Sequence, residues 1–356
     1  MRVVVAGGGT AGHIEPALNT ADALRELDDE IVVTALGTAK GLEGTLVPAR
    51  GYELDLIPAV PLPRRLNGEL LRVPHRLRGA VAATRRILAE RQADVVVGFG
   101  GYVALPAYLA ARGRLPIVVH EANAKAGLAN RVGARFSEHV AETHSGSLRG
   151  ATVVGIPLRS SIANLDRMAS RTAAREFFGL NPDRPVIVVF GGSQGARRLN
   201  DAVGGAAPAL VAGGFSVLHA RGGKNIDQGS DPHIPHVVTL DYISRMDLAY
   251  AAADLAVCRA GALTVAELSA VGLPAIFVPL PIGNGEQQRN ALPVVSAGGG
   301  IIVPDAEFTA DRMVTEALGL LAEPTRLLRM SAATGALGDR GAARRLAHMT
   351  IAAAGG

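Results

Sequence analysis

Short apolar runs alternate with longer stretches of helical periodicity along the whole chain. In the first half the apolar runs cover residues 3–6, 31–36, 94–98, 116–120 and 151–154, and in the second half they cover residues 185–190, 215–220, 236–240, 254–257 and 274–278. Continuous apolar strands separated by helices are typical of parallel sheets that helices cover on both faces. The pattern therefore predicts an α/β protein with two Rossmann-like, doubly wound parallel sheets.

The length of the chain and one pause in this alternation predict two domains. At 356 residues the chain is longer than one ordinary hydrophobic core requires. The alternation pauses at residues 155–159, Gly-Ile-Pro-Leu-Arg, before a polar helical stretch. We expect a first domain at residues 1–158 and a second at residues 159–341. A terminal helix at residues 342–356 is expected to pack back on the first domain.

The composition is that of a globular protein from a reducing compartment. Hydrophobic residues make up 48% and charged residues 19% of the chain, a balance unlike that of disordered proteins. The single cysteine, Cys258, excludes an internal disulfide. Glycines and Pro106 interrupt the longest uncharged run, residues 95–111, and the first residues lack a signal-peptide pattern. We therefore expect neither a transmembrane helix nor export.

Positive charge is concentrated in one stretch of the chain. The net charge is +4, yet eight arginines face only two glutamates between Val60 and Arg91. The arginines are Arg64, Arg65, Arg72, Arg76, Arg78, Arg85, Arg86 and Arg91. Leucines lie between them, and such a basic, partly apolar surface suits an anionic membrane face. A solvated helix face is the alternative, and nucleic acid is not expected because no nucleic-acid-binding motif accompanies the stretch.

Two glycine-rich segments follow predicted strands half a chain apart. Gly7-Gly8-Gly9-Thr10-Ala11-Gly12-His13 follows the first strand, and Gly191-Gly192-Ser193-Gln194-Gly195-Ala196 follows the strand at residues 185–190. Glycine lets the backbone approach a ligand, and the helix that follows offers free N–H groups to an anion. The pair predicts two α/β lobes that face one phosphate-bearing ligand across a cleft.

Each segment also matches a motif of another enzyme class. Gly7-x-Gly9-x-x-Gly12 is the dinucleotide fingerprint, but the second strand ends in Gly37-Thr38, without the acidic residue that would hold a ribose. Gly191-x-Ser193-x-Gly195 is the nucleophile elbow of hydrolases, but beyond the candidate acids Asp241, Asp247 and Asp254 the only histidine is His348. No cluster of metal ligands is present, so no metal or other cofactor is expected.

Further polar residues follow other predicted strands. Gly98-Phe99-Gly100-Gly101-Tyr102 and His120-Glu121-Ala122-Asn123 lie in the first half, and the segment Cys258 to Glu267 lies in the second. Ligands bind at the carboxyl ends of parallel strands, so these residues are candidates for a binding site. His120 also fits a purely structural role at the end of a buried strand. Glu267 and the amides of the loop at residues 283–290 suit sugar hydroxyls.

These segments together resemble the peptidoglycan N-acetylglucosaminyltransferases of glycosyltransferase family 28, over essentially the whole chain. The resemblance implies a GT-B fold and a metal-independent, inverting transfer of GlcNAc from UDP-GlcNAc. The acceptor would be the MurNAc 4-hydroxyl of undecaprenyl-pyrophosphoryl-MurNAc-pentapeptide (lipid I), which becomes lipid II. The resemblance also implies a peripheral location on the inner face of the cytoplasmic membrane, with partners in the cell-division or elongation machinery.

The resemblance also assigns residues of this chain to the two substrates. The residues implied for UDP-GlcNAc are Thr10, Ala11, Gly12, Asn123, Arg159, Ser193, Ile243, Ala262, Leu263, Thr264, Glu267, Gln287 and Gln288. Those implied for the acceptor are Gly9, His13, Gly100, Gly101 and Tyr102. His13 is the first candidate for the general base, because its ordinary pKa near 6.5 suits the task. Glu121, a non-base role for His13 and substrate-assisted deprotonation are the alternatives.

The chain departs from the family pattern at two positions. Ala11 stands where the family has glycine, so its backbone conformation must be one that a residue with a Cβ can adopt. Ala122 replaces a polar glutamine. These departures bear on the geometry of the acceptor loops and not on the class of activity. A nicotinamide oxidoreductase and a non-catalytic UDP-sugar-binding module are the rival functions.

Overall fold

The computed structural model describes residues 1–39, 41–60, 73–192, 195–223, 234–282 and 285–355. These residues form two compact units, Met1–Arg159 together with Arg340–Gly356, and Ser160–Asp339. Each unit contains one parallel sheet with helices on both faces, as the alternating pattern predicts.

The first unit is built around a seven-stranded sheet. Its elements are β1 (Arg2–Gly7), α1 (Ala11–Leu27), β2 (Val32–Gly37), α2 (Glu43–Ala49), β3 (Glu53–Leu56), α3 (Val73–Glu90), β4 (Val95–Gly100), α4 (Gly101–Ala111), β5 (Ile117–Glu121), α5 (Leu128–Gly133), β6 (His139–Glu142) and β7 (Thr152–Val153). The strand order is β3-β2-β1-β4-β5-β6-β7, with every pair parallel. The order reverses between β1 and β4, and a ligand binds at such a switch point in sheets of this kind.

The second unit repeats this plan with six strands. Its elements are α6 (Ser160–Ala163), α7 (Arg167–Phe177), β8 (Val186–Phe190), α8 (Arg197–Ala212), β9 (Ser216–Ala220), β10 (Val237–Leu240), α9 (Met246–Ala252), β11 (Leu255–Cys258), α10 (Ala262–Val271), β12 (Ala275–Phe277), α11 (Glu286–Ser296), β13 (Gly300–Ile302), a short 3₁₀ helix (Asp305–Glu307), α12 (Ala310–Leu321) and α13 (Pro324–Gly335). The strand order β10-β9-β8-β11-β12-β13 reverses between β8 and β11. The second glycine segment follows β8, so it lies at this switch point.

The last helix of the chain belongs to the first unit. This helix, α14 (Ala342–Gly355), buries Leu346, Ala347 and Ala353 in the same apolar cluster as β1 and α1. The Arg345 guanidinium also donates a hydrogen bond of 2.8 Å to the carbonyl of Val154. The first unit is therefore made of two segments of chain that are separated by the whole of the second unit.

Every apolar run that the pattern assigns to a strand contains a strand, and the described residues form three further strands. They are β3, β6 and β13, of three or four residues each. β3 reads Glu-Leu-Asp-Leu and lies at a sheet edge, where alternating polar residues replace a continuous apolar run. β6 ends in the buried Glu142, whose carboxylate accepts hydrogen bonds from the N–H groups of Gly146 and Leu148. Short polar strands of this kind carry too little periodicity to be predicted.

Candidate active site

The two glycine segments of the first unit meet at its switch point. A Cβ on Gly101 would lie 2.1 Å from the Gly8 carbonyl oxygen, and a Cβ on Gly9 would lie 3.2 Å from the Tyr102 ring. Gly9 and Gly101 have φ angles of +90° and +77°, which glycine adopts without strain. Neither α1 nor α4 has an acidic residue in its first turn or a side chain that caps its N-terminus. Two helix ends with free N–H groups are thereby placed beside each other, a geometry that suits a phosphate group.

The left-handed φ belongs to Gly9 and not to Ala11. Ala11 is the first residue of α1 and follows Thr10, whose φ is −140°. A Cβ is therefore compatible with position 11, and this departure from the family pattern leaves the loop intact.

We expect Gly101→Ala to lower kcat/KM for the acceptor about tenfold or more. The added Cβ would overlap the Gly8 carbonyl and strain a positive φ, which costs of the order of 1–3 kcal/mol and pushes the two glycine segments apart. Gly113→Ala is the matched control, because Gly113 has a φ of +69° but no atom within 4 Å of the added Cβ. Steady-state kinetics with each substrate varied would test this, and equal effects of the two variants would contradict it.

A cavity of about 360 Å³ opens beside these segments in the first unit. It brings together residues that the sequence places on separate strand ends: His13, Gly100, Gly101, Tyr102, Glu121 and Asn123. Val60, Leu105, Pro106 and Leu128 give it apolar walls, while Gly127, Ala129 and Asn130 complete it. Tyr102 and Leu128 are about half exposed, at 47% and 57%, so this wall is open to a ligand.

His13 lies in the first turn of α1 with its imidazole against Gly100. A Cβ on Gly100 would lie 3.2 Å from His13 Nε2, a tight contact that would shift the ring by a few tenths of an ångström, and the φ of +93° at Gly100 also favours glycine. His13 Nδ1 is 3.1 Å from the Thr10 hydroxyl. Burial lowers the pKa of His13 below 6.5, and the negative charges of Glu121 and Glu43 and a hydrogen bond to the Gly8 backbone oppose that shift. The imidazole is thus neutral at neutral pH and can accept a proton.

Glu121 is buried and accepts four hydrogen bonds. Oε1 accepts from the backbone N–H and the side-chain amide of Asn123, at 2.9 and 3.1 Å. Oε2 accepts from the Gly127 N–H at 2.9 Å and from the Asn130 amide at 3.0 Å. A carboxylate engaged in this way organises the cavity wall, so the geometry favours His13 over Glu121 as the base.

Asn130 is a cavity residue that the sequence does not single out. Its amide donates to the His120 carbonyl and to Glu121, and its oxygen accepts a 2.7 Å hydrogen bond from the Tyr108 hydroxyl. The sequence gives no signal for it, because Asn130 and the adjacent Arg131 look alike as polar residues of the short helix α5. His120 itself is fully buried, with Nε2 2.7 Å from the Gly155 carbonyl, in accord with the structural alternative for this residue.

Four of the residues implied for the donor, Thr10, Ala11, Gly12 and Arg159, lie in the first unit outside this cavity. Thr10 and Gly12 are exposed at the start of α1. The Arg159 guanidinium binds the Glu15 carboxylate, with Nε 2.9 Å from Oε2, and Arg50 binds the same carboxylate at 3.2 Å. Arg159 is therefore held in place by an ion-pair network before any ligand arrives.

In the second unit, residues on several strand ends form a further candidate site. α10 begins after Gly261 with no acidic residue in its first turn and no side-chain cap, so Ala262, Leu263 and Thr264 present free N–H groups. Glu267 lies one turn further on, where Oε2 accepts a 2.7 Å hydrogen bond from the Tyr250 hydroxyl. Burial, together with the charge of Glu267, raises the pKa of the Cys258 thiol, so this cysteine is not a nucleophile.

The remaining donor candidates differ in their surroundings. Gln287 Oε1 accepts from the N–H groups of Ala260 and Leu280, at 3.2 and 2.9 Å, and so joins two loops, whereas Gln288 is exposed. Ile243 is buried. Ser193 lies outside the described residues, but Gly192 and Gly195, on either side of it, have φ angles of +88° and +75° and are joined by a 2.9 Å backbone hydrogen bond.

Arg259 belongs to the candidate segment Cys258 to Glu267, but its contacts could not be predicted from the sequence. Its guanidinium donates to the Val278 carbonyl at 2.9 Å and pairs with Asp305 at 2.6 Å. Asp305 also lies 3.8 Å from Arg198 in the first turn of α8. This network connects the loops that follow β11, β12 and β13 to α8. The sequence gives no spacing signal for it, because its members come from separate loops.

Comparison with known proteins identifies relatives over nearly the whole chain. The glycosyltransferase family 28 N-terminal domain matches residues 3–142, and the family 28 C-terminal domain matches residues 186–346. A protein of Saccharopolyspora erythraea is 60% identical over 99% of this chain and 94% of its own length, and one of Mycobacterium avium is 58% identical over 98% and 88%. Both are named UDP-N-acetylglucosamine–N-acetylmuramyl-(pentapeptide) pyrophosphoryl-undecaprenol N-acetylglucosamine transferase.

Solved structures resemble the chain over the same extent. MurG of Acinetobacter baumannii is 27% identical, with a TM-score of 0.75 over 99% of both chains. The UDP-GlcNAc 2-epimerase of Neisseria meningitidis, bound to UDP-GlcNAc, has a TM-score of 0.68 at 15% identity over 99% of this chain and all of the epimerase chain. At that identity the epimerase shows a likeness of fold alone.

Proposed function

This chain belongs to glycosyltransferase family 28, and we propose on that basis that it transfers GlcNAc from UDP-GlcNAc to the MurNAc 4-hydroxyl of undecaprenyl-pyrophosphoryl-MurNAc-pentapeptide. The observation that carries the proposal is the 60% identity to a transferase of that name over 99% of this chain. The GT-B fold class expected from the sequence is confirmed by the two parallel sheets and by the match to MurG. The relatives do not favour the nicotinamide oxidoreductase alternative.

The proposed reaction forms one bond and breaks one at the anomeric carbon of GlcNAc. The acceptor hydroxyl attacks that carbon from the face opposite UDP, so the configuration inverts. The hydroxyl proton passes to the imidazole of His13, and UDP leaves with the electron pair of the broken C–O bond. The free N–H groups at the start of α10 would stabilise the charge on the leaving diphosphate, as preorganised dipoles do.

The two substrates are assigned to different units. The cavity around His13 supports a site for the acceptor, since its two glycine segments suit a pyrophosphate and its apolar wall at Tyr102 and Leu128 suits a lipid-linked molecule. Glu267 and the start of α10 support a site for the donor, with the carboxylate on the ribose hydroxyls. Among the described residues no cluster of three metal-ligating side chains occurs, and metal-independent transfer stays a prediction.

A transfer assay tests the proposal directly. The protein is incubated with UDP-[¹⁴C]GlcNAc and lipid I, and label in the lipid fraction is measured with and without the acceptor. Transfer that depends on the acceptor supports the proposal. Binding of UDP-GlcNAc without transfer would leave the UDP-sugar-binding module as the function.

We further propose that α3 and α4 dock on an anionic membrane. Within the described part of the chain, no helix has the length and apolarity that a membrane span requires. A groove of about 550 Å³ between these helices combines apolar side chains with three exposed arginines, Arg78, Arg85 and Arg112. Its other lining residues are Pro74, Leu77, Val81, Ala82 and Leu109. Arg64, Arg65 and Arg72 of the same basic stretch lie outside the described residues.

Changing Arg78, Arg85 and Arg112 together to glutamate should weaken binding to anionic vesicles about 100-fold at low salt. Each basic residue near such a surface contributes about 1 kcal/mol, and salt screens the attraction. The same change at Arg149, Arg329 and Arg344, which are also exposed, is the control with equal net charge. Vesicle sedimentation at several salt concentrations would measure the effect. Equal losses in both triple variants would mean that only net charge matters.

A further inference from the structure

Glu43 is a buried carboxylate beneath the first glycine segment that no step of the proposed reaction uses. It is the first residue of α2 and is 0% exposed. Oε1 accepts a 3.0 Å hydrogen bond from the Gly9 N–H. Oε2 is buried and has no hydrogen-bond partner among the described residues. A buried charged oxygen without a donor is costly, so its retention calls for a physical reason.

Three glycines make the space that this side chain fills. A Cβ on Gly8 would lie 2.4 Å from Glu43 Oε1, and one on Gly41 would lie 1.4 Å from Oε2. A Cβ on Gly37 would lie 2.8 Å from the Cβ of Glu43. Gly8 follows β1, Gly37 is the last residue of β2, and Gly41 lies in the loop after β2. The carboxylate and the first glycine segment are therefore shaped to each other, and a side chain at any of the three positions would displace the carboxylate.

The same segment connects Glu43 to His13. The Gly8 backbone raises the pKa of the imidazole, and Gly8 precedes Gly9, whose N–H donates to Glu43. The negative charge of Glu43 favours the protonated imidazole, as does that of Glu121 on β5, while burial opposes both. Two further groups lie close to the ring, Gly100 at the end of β4 and the Thr10 hydroxyl, and both are uncharged. Glu43 and Glu121 are thus the charged groups that act on this histidine.

We propose that Glu43 is a positioning residue of the acceptor site, which holds the first glycine segment through Gly9 and stabilises the imidazolium formed when His13 takes the acceptor proton. The inference rests on the proposed function. The proton passes from the acceptor hydroxyl to the imidazole and goes no further. Its part resembles that of a carboxylate that orients a catalytic histidine and stabilises its charge without accepting the proton.

Glu43→Gln removes the charge but keeps an oxygen that can accept from Gly9. We expect kcat to fall about tenfold, and the acid limb of the kcat profile to move about 0.5–1 pH unit lower, because loss of a nearby negative charge lowers the pKa of an imidazole. The His13 ring, followed by ¹H–¹³C NMR and assigned with His13→Asn, should titrate lower by the same amount. KM for UDP-GlcNAc should stay within twofold. Glu26→Gln, an exposed change of the same charge on α1, should leave all of these values unchanged.

Glu43→Asp keeps the charge but is too short to hold Gly9. We expect the His13 titration to stay within about 0.3 unit of the wild type while KM for the acceptor rises severalfold. If Glu43→Gln does not fold, Glu43→Asp is the test of the proposal. An unchanged KM for the acceptor in Glu43→Asp then overturns the proposal. An unmoved His13 titration in a folded Glu43→Gln protein also overturns it and leaves a purely structural carboxylate. Failure of the wild type to transfer GlcNAc would overturn the proposed function, whereas the NMR titration would still report on Glu43.

Discussion

Replacing His13 by alanine is expected to lower kcat by about 10²–10⁴-fold, the usual contribution of a general base. The imidazole is the group in the first-unit cavity whose lone pair is placed to accept a proton, because the four hydrogen bonds to Glu121 occupy that carboxylate. Since burial lowers the pKa of His13, the acid limb of the wild-type kcat profile should lie below pH 6.5. The limb should be absent in the variant. Rates measured from pH 4.5 to 8 with saturating substrates would show both effects.

The control for this prediction separates proton transfer from positioning. His13→Asn keeps a polar side chain of similar reach but cannot act as a base. Equal losses of kcat in the two variants, with UDP-GlcNAc affinity retained, would support the base assignment. A near wild-type kcat in the asparagine variant would make His13 an acceptor-binding residue. If both variants keep full rate, Glu121 is the next residue to replace.

Glu267→Ala should raise KM for UDP-GlcNAc about 10- to 100-fold with little change in melting temperature. Hydrogen bonds between a carboxylate and ligand hydroxyls contribute about 1.5–3 kcal/mol, and the substitution removes them. Tyr250→Phe is the matched control, because it keeps the aromatic ring and removes the hydroxyl that donates to Glu267 Oε2 at 2.7 Å. It should raise KM less than the alanine change does. An unchanged donor KM in Glu267→Ala would exclude this carboxylate as the ribose ligand.

The periodicity of the sequence predicts the strands of both sheets where those strands are continuous apolar runs. Residues 186–190 are all apolar, so no side chain in this run needs water or a hydrogen-bond partner. A strand buried on both faces is therefore the simplest interpretation of such a pattern. β3 and β13 lie at sheet edges, and β6 is only four residues long and ends in Glu142, so their sequences carry little of this signal. The spacing of turn residues sets where a strand ends, but not how much of a short edge strand forms.

The residues of the candidate site also fall into those that the sequence predicts and those that it does not. Glycines that open a helix after a strand are visible in the sequence, and for this reason the segments around Gly9 and Gly101 could be selected before the structure was known. Glu43 and Asn130 could not be selected from the sequence, because their contacts depend on which loops come together in the fold. Glu43 lies 34 residues from Gly9, the residue whose N–H it accepts. A single sequence gives no signal for such a pair, whereas the contact is plain once β1 and β2 are adjacent.

The position of α14 determines the order in which the protein can be built on the ribosome. Residues 160–339 are continuous, so the second unit has all of its chain as soon as its last helix emerges. The first unit begins to be synthesised earlier but lacks the apolar surface of Leu346, Ala347 and Ala353 until α14 has been made. The α1 side of its core therefore stays uncovered during the synthesis of the second unit. Domains usually fold in order of synthesis, and in this chain the unit that starts first is the unit that finishes last.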